Sequence, residues 1–370
     1  MSDVNALAHV RQIAPYQAGK PIEELAREFG LAPESIVKLA SNENPLGMPD
    51  SARTAMLRAL DLGRYPDANG FELKAKLSAR YGVPADWLTL GNGSNDILEA
   101  AAAVTLDANA SCVFSQYSFA VYALATQARG AKAIVVPARD FGHDLEAMAA
   151  AIGSDTRLVF IANPNNPTGT FLPADSIAAF LARVPRQVVV VLDEAYNEYL
   201  PPALRYDSVA WVRRYPNLLI SRTFSKAFGL AGLRVGYGIA QPELTDLLNR
   251  VRQPFNVNTV AQAAAAAALD DTAFLEESYA LNKRGLDELT AAFSRLGLAF
   301  VPSFGNFALV KVGPAGRVYQ ELLKRGVIVR PVANYGLPEW LRVTVGLPEE
   351  NARFIEALPA ALAAAAAFSA

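Results

Sequence analysis

Val188-Val189-Val190-Val191-Leu192-Asp193-Glu194-Ala195-Tyr196 is the stretch that decides the fold of this 370-residue chain. Its five leading residues are all branched and apolar, so no face of the segment is polar. A strand with that composition is buried on both sides, as in the middle of a parallel sheet covered by helices. Similar short runs recur at Cys112–Phe114, Ala133–Val136, Leu158–Ala162 and Leu218–Ile220, with Val235–Ile239 as one more. Helical stretches such as Tyr117–Ala128 and Pro173–Arg183 lie between them. The alternation predicts an α/β chain with a mostly parallel sheet between helices.

Ligands of such sheets bind beyond the carboxyl ends of the strands. After Leu158–Ala162 comes Asn163-Pro164-Asn165-Asn166-Pro167-Thr168-Gly169, and after the valine run come Asp193 and Tyr196. After Leu218–Ile220 comes Ser221-Arg222-Thr223-Phe224-Ser225-Lys226, with Arg234 eight residues beyond the lysine. Three adjacent strands thus bring Asn166, Asp193, Tyr196 and Lys226 to one edge. A lysine amine can hold an aldehyde covalently. The Thr223 and Ser225 hydroxyls and the Arg234 fork can hold a phosphate, as can Ser94 and Asn95, where a glycine-rich turn opens a helix. The ligand that needs both services is pyridoxal 5′-phosphate (PLP). It also needs an acid at its ring nitrogen, which Asp193 suits, and donors at its ring oxygen, which Asn166 and Tyr196 suit. Tyr117 could stack on the ring face. Taken singly, each residue reads as readily otherwise: Asp193 as a cap, Asn166 as a turn residue, Tyr196 and Tyr117 as core, and Lys226 as a surface lysine.

Outward from this centre, helices are expected at Pro21–Phe29, Ser51–Leu60, Phe71–Tyr81, Ile97–Thr105, Pro242–Arg252 and Ala261–Phe293. Strands are expected at Ile36–Ala40 and Leu88–Leu90. From Phe300 onward, strands Ala308–Val312, Val327–Arg330 and Leu341–Val345 alternate with helices at Gly316–Arg325 and from Glu349. This reads as a smaller α/β domain completed by the N-terminal segment. The expected division is residues 1–45 as an arm and part of the small domain, 46–270 as the large domain, and 271–370 as the small one. Leu341, Val343 and Val345 share one face of their strand, so Arg342 points to the other.

The net charge of −2 comes without a dense basic block, which argues against nucleic-acid binding. With 52% hydrophobic residues the chain can fill a large core. The single cysteine, Cys112, lies in an apolar run and reads as a buried thiol. The two histidines, His9 and His143, are too few for a histidine-based metal site, so no metal is expected. No signal-peptide layout and no membrane span of about 18–20 apolar residues is visible, so a cytoplasmic protein is expected.

Asn166-Pro167-Thr168-Gly169, Asp193-x-x-Tyr196, Thr223-x-Ser225-Lys226 and Arg234, in that order and spacing, resemble the fold-type I PLP-dependent aminotransferases. Pro15-Tyr16, Ser41-Asn42-Glu43-Asn44-Pro45, Arg64-Tyr65-Pro66 and Lys226-Ala227-Phe228-Gly229-Leu230-Ala231-Gly232-Leu233-Arg234 resemble the histidinol-phosphate branch. The resemblance covers nearly the whole chain. It implies an aspartate-aminotransferase-like fold with a seven-stranded sheet, and Lys226 and Asp193 as catalytic residues. It implies a homodimer in which Tyr65 reaches the partner's cofactor phosphate. Arg342 would bind the substrate anion, Arg330 would be a second anion contact, and Tyr16 would close over the substrate. The partners would be an amino donor and a 2-oxo acid. Rival readings are an aminotransferase for aromatic or other amino acids, and a PLP-dependent decarboxylase of a phosphorylated amino acid. A PLP-sensing transcription regulator would need a basic N-terminal domain of about 60–100 residues. The Ser41-Asn42-Glu43-Asn44-Pro45 motif, starting only forty residues in, argues against it.

Overall fold

The computed structural model describes residues 4–16 and 19–367. Its main body is a seven-stranded sheet built from β2 (Leu88–Gly91), β3 (Ser111–Ser115), β4 (Lys132–Val136), β5 (Thr156–Ala162), β6 (Val189–Asp193), β7 (Leu218–Thr223) and β8 (Gly236–Ile239), following a short β1 (Val37–Lys38). The strand order is β2-β8-β7-β6-β5-β3-β4. All neighbours from β7 to β4 pair in parallel, whereas β8 runs antiparallel to both β7 and β2. The reversal follows from the connection: the segment after β7 carries no crossover α-helix, which a parallel return requires.

The valine run behaves as its composition demands. Val190 and Leu192 pack into one core cluster and Val191 into the cluster on the opposite face. Each is almost fully buried, contributing about 1.5–3 kcal/mol. That burial lets the strand carry Asp193 at its end. Ala162, Asp193 and Ser221 stand level across β5, β6 and β7, so the loops that follow all leave from one edge.

A second body holds the antiparallel sheet β12-β13-β10-β9, made of β9 (Phe300–Val301), β10 (Phe307–Lys311), β12 (Arg330–Val332) and β13 (Leu337–Thr344). β11 (Val327–Ile328) instead pairs in parallel with β1. The expected strand Val327–Arg330 is therefore two strands, because its halves have different neighbours. The N-terminal segment is tied to the C-terminal one through this β1–β11 pair.

Three helix expectations also change. The stretch Ala261–Phe293 is two helices, Thr259–Ala268 and Thr272–Arg295. Asp271 breaks it by capping the second one, its carboxylate accepting from the Phe274 N–H at 3.1 Å. The helix expected from Ile97 begins at Ser94, because Gly93 takes φ 84° just before it. The helix expected from Tyr117 begins at Ala120, since Tyr117 has φ 55° and turns the chain. Among the described residues no helix is long and apolar enough to cross a membrane.

Candidate active site

A cavity of about 200 Å³ opens at the carboxyl edge of β5, β6 and β7. Asn166, Asp193, Tyr196, Thr223, Ser225, Lys226 and Arg234 line it, with Ser94 and Asn95 from the adjacent helix start, Tyr16 from the N-terminal segment, and Arg330 and Arg342 from the second body. The sheet register explains the first group and the β1–β11 tie the last.

Lys226 follows β7 and donates from Nζ to the Ser41 carbonyl at 3.2 Å. Its ammonium position lies 5.7 Å from the centre of the Tyr196 ring. Burial, and then the Arg342 and Arg234 guanidinium groups, push its pKa down to about 7. The amine is therefore available uncharged near neutral pH, as a nucleophile or a base must be.

Asp193 ends β6 and is 5% exposed. Its Oδ2 accepts from the Tyr122 hydroxyl at 2.8 Å. Its Oδ1 is buried and has no hydrogen-bond partner among the described residues. Burial pushes its carboxyl up to about 6, against the opposing pull of Tyr122 and the Ala195 N–H. A buried carboxylate oxygen without a donor is costly unless a cationic N–H meets it. The protonated ring nitrogen of PLP is such a group, so this residue fits that cofactor.

The anion end also fits. Arg234 Nη1 donates to Ser225 Oγ at 3.2 Å and to the Ala231 carbonyl at 2.9 Å. Its guanidinium lies against the start of helix Ser94–Thr105, whose free N–H groups favour a phosphate. A Cβ on Gly93 would stand 2.4 Å from Arg234 Nη2, so only glycine lets the two approach.

Arg342 is 7% exposed on β13. Leu341, Val343 and Val345 pack into the core of the second body, and Arg342 faces the cavity instead. Nη1 donates to Asn166 Oδ1 at 2.6 Å and Nη2 to the Ala40 carbonyl at 2.7 Å. Its Nε is buried with no partner among the described residues. Burial pulls its pKa below the usual arginine value. Arg330 holds its guanidinium carbon 5.7 Å from the centre of the Tyr16 ring.

Two expected residues lie elsewhere. Tyr117 lines an adjoining cavity of about 1030 Å³. Its turned backbone sends the ring onto Phe141, 6.0 Å away at 27°, while Asn165 Nδ2 holds its carbonyl at 2.8 Å. Phe119 is the aromatic residue of this loop that lines the Lys226 cavity. Tyr65 is 82% exposed on the outside of the molecule, stacked on Phe255 with centroids 4.6 Å apart.

The structure adds residues that spacing did not single out for a role. Asn42, in the quoted Ser41–Pro45 motif, donates from Nδ2 to the Tyr196 hydroxyl at 2.9 Å and accepts from Thr344 Oγ1 at 3.0 Å. Tyr122 carried no motif signal. Away from the site, Cys112 is buried and desolvation pushes its thiol up to about 12, so it is inert.

Comparison with known proteins agrees with this geometry. Residues 34–358 match the family model described as aminotransferase class I and II. A histidinol-phosphate aminotransferase of Cupriavidus pinatubonensis is 71% identical over 96% of this chain and 96% of its own length. One from Ralstonia nicotianae is 68% identical over 97% of each. The crystal structure of histidinol-phosphate aminotransferase from Sinorhizobium meliloti, in complex with PLP, superposes with a TM-score of 0.89 at 28% identity, covering 98% of this chain and 99% of that one.

Proposed function

Because the chain belongs to the class I and II aminotransferases, and within them to the histidinol-phosphate aminotransferases, we propose that it uses PLP to convert histidinol phosphate and 2-oxoglutarate into imidazole acetol phosphate and glutamate, a step of histidine biosynthesis. The observation that carries this reading is the pairing, in one cavity, of a lysine whose pKa is pushed down to about 7 with a buried aspartate whose Oδ1 lacks a donor.

PLP bound there supplies an electron-accepting ring that stabilises the negative charge left when the substrate α-proton departs. Asp193 holds the proton on the ring nitrogen. Ser94, Asn95, Thr223, Ser225 and Arg234 hold the phosphate, and Asn166 and Tyr196 the ring oxygen. Lys226 would anchor the aldehyde, and its amine, uncharged near neutral pH, would move the substrate α-proton. Arg342 and Arg234 suit Lys226 to that task, since both cations disfavour its ammonium form.

Arg342 also binds the substrate anion. Its planar fork suits the phosphate of one amino donor and a carboxylate of the other, which one site must serve in turn. Arg330 is the second anion contact, and Tyr16, stacked near it, closes over the substrate. The working unit is a homodimer in which Tyr65 reaches the partner's cofactor phosphate, a reading supported by the exposure of its ring at the surface. The proposed compartment is the cytoplasm.

The test is glutamate formation from histidinol phosphate and 2-oxoglutarate by the purified PLP-loaded protein, with phenylalanine as the competing donor. Turnover of phenylalanine alone, or carbon dioxide release in place of glutamate, would overturn the proposal.

A further inference from the structure

The Asp193 carboxylate is gripped by a side chain that no motif pointed to. We propose that Tyr122 is a positioning residue, fixing the Asp193 carboxylate in direction and favouring its ionised form opposite the cofactor ring nitrogen. The proposal rests on the PLP reading of the cavity.

The geometry is that of a clamp. The Tyr122 hydroxyl meets Asp193 Oδ2 at 2.8 Å. The Tyr122 side chain is fully buried. Its ring lies flat on Phe160, with centroids 4.5 Å apart and planes 4° from parallel. Phe119 meets it edge-on at 6.0 Å and Phe114 at 6.5 Å. Packed on these sides, the ring holds its hydroxyl in one direction. With Oδ2 held, Oδ1 faces one way, and it is the oxygen left without a partner among the described residues.

The electrostatics agree. A donor to the charged form of a carboxyl favours that form. Around Asp193 the other influences are smaller and of mixed sign. Lys226 and the Ala195 N–H favour the anion, and Glu194 disfavours it. Glu194 is itself paired with Arg222 at 2.7 Å. Tyr196 and Tyr335 face Tyr122 and stay neutral, so they add no charge. Burial opposes ionisation, and Tyr122 is the largest effect working against burial.

The experiment measures PLP affinity by equilibrium dialysis from about pH 5 to about 9, where Asp193 changes charge. It compares Lys226→Ala with Lys226→Ala/Tyr122→Phe, which removes the covalent link and the lysine titration from both. Affinity is expected to fall on the acid side as Asp193 takes up a proton. In the double variant that midpoint moves up by about one pH unit, so affinity drops about tenfold on the acid side of the midpoint and about twofold near pH 7. Tyr122→Phe keeps the ring stack, so a tyrosine that only fills space predicts an unmoved midpoint, and that result overturns the proposal. Tyr122→Phe alone, in the PLP-loaded enzyme, gives a second readout: kcat falls about tenfold with the amino-donor KM unchanged. An unchanged kcat there also overturns it. Failure of Lys226→Ala to bind PLP at any pH instead overturns the reading of the cavity itself.

Discussion

Replacing Arg342 by lysine separates charge from geometry at the proposed substrate anion site. The native guanidinium spends Nη1 on Asn166 and Nη2 on the Ala40 carbonyl, and keeps a buried Nε without a partner among the described residues. A lysine keeps the positive charge but has one head group and no planar fork. It can retain one of the two existing contacts while facing a substrate anion, so at least one charge-assisted hydrogen bond is lost. Such a bond contributes about 1.5–3 kcal/mol, which corresponds to a loss of about 10- to 150-fold in kcat/KM. Because one guanidinium serves both donors, histidinol phosphate and glutamate should lose by the same factor. Each half-reaction is followed separately by the change in cofactor absorbance on mixing with a single amino donor. PLP affinity should hold, since the proposed phosphate contacts lie on Ser225, Arg234 and the helix at Ser94. A loss confined to one donor, or none for either, would refute the shared anion site.

Four further outcomes follow from the same geometry. The Lys226 pKa is about 7 in the fold and 10.5 when unfolded, so between those values the unfolded chain binds the extra proton and stability rises with pH. Without cofactor, Lys226→Met should therefore stabilise the protein, by on the order of 5 kcal/mol below pH 7, with the gain fading as pH rises toward 10.5; urea unfolding at about pH 6 and about pH 9 checks it, and a larger gain at the higher pH contradicts it. Asp193 has the opposite sign: its folded value of about 6 against 3.8 unfolded means Asp193→Asn should stabilise the cofactor-free protein above pH 6, with the benefit vanishing toward pH 4. Mixing Lys226→Ala subunits with Tyr65→Ala subunits should restore up to about a quarter of native sites if Tyr65 serves the partner's site, because half the dimers are then mixed and each has one intact site; no recovery after confirmed subunit exchange sinks the shared-site dimer. Asn42→Ala strips partners from Tyr196 and Thr344 and places alanine at φ 55°, so a loss of about 3–5 kcal/mol is expected, of which Asn42→Gly should recover about 1 kcal/mol; equal losses would show that backbone strain plays no part.

The sequence is most legible where the chemistry is local. Val188–Leu192 can only be a buried strand, and glycines and aspartates end or begin elements for reasons that reach a few residues at most. The failures include one with a distant cause and two with local ones. Val327–Arg330 reads as one strand until its two halves meet different neighbours. Ala261–Phe293 reads as one helix until Asp271 caps the second half. Tyr117 has the residue type of a ring-stacking group, yet its backbone turn sends it to Phe141.

What the sequence determined by itself was the set of side chains and the order of strands that carries them, because a strand ending in Asp193, a loop holding Asn166 and a loop holding Lys226 must leave a parallel sheet from one edge. What only the tertiary structure decided was how those side chains are supported. Asn42 and Arg342 reach the site from segments about three hundred residues apart that meet beside β1 and β11, and Tyr122 finds Asp193 across 71 positions of chain. No periodicity encodes such meetings. They exist because buried polar atoms must find partners wherever the packed fold happens to bring them.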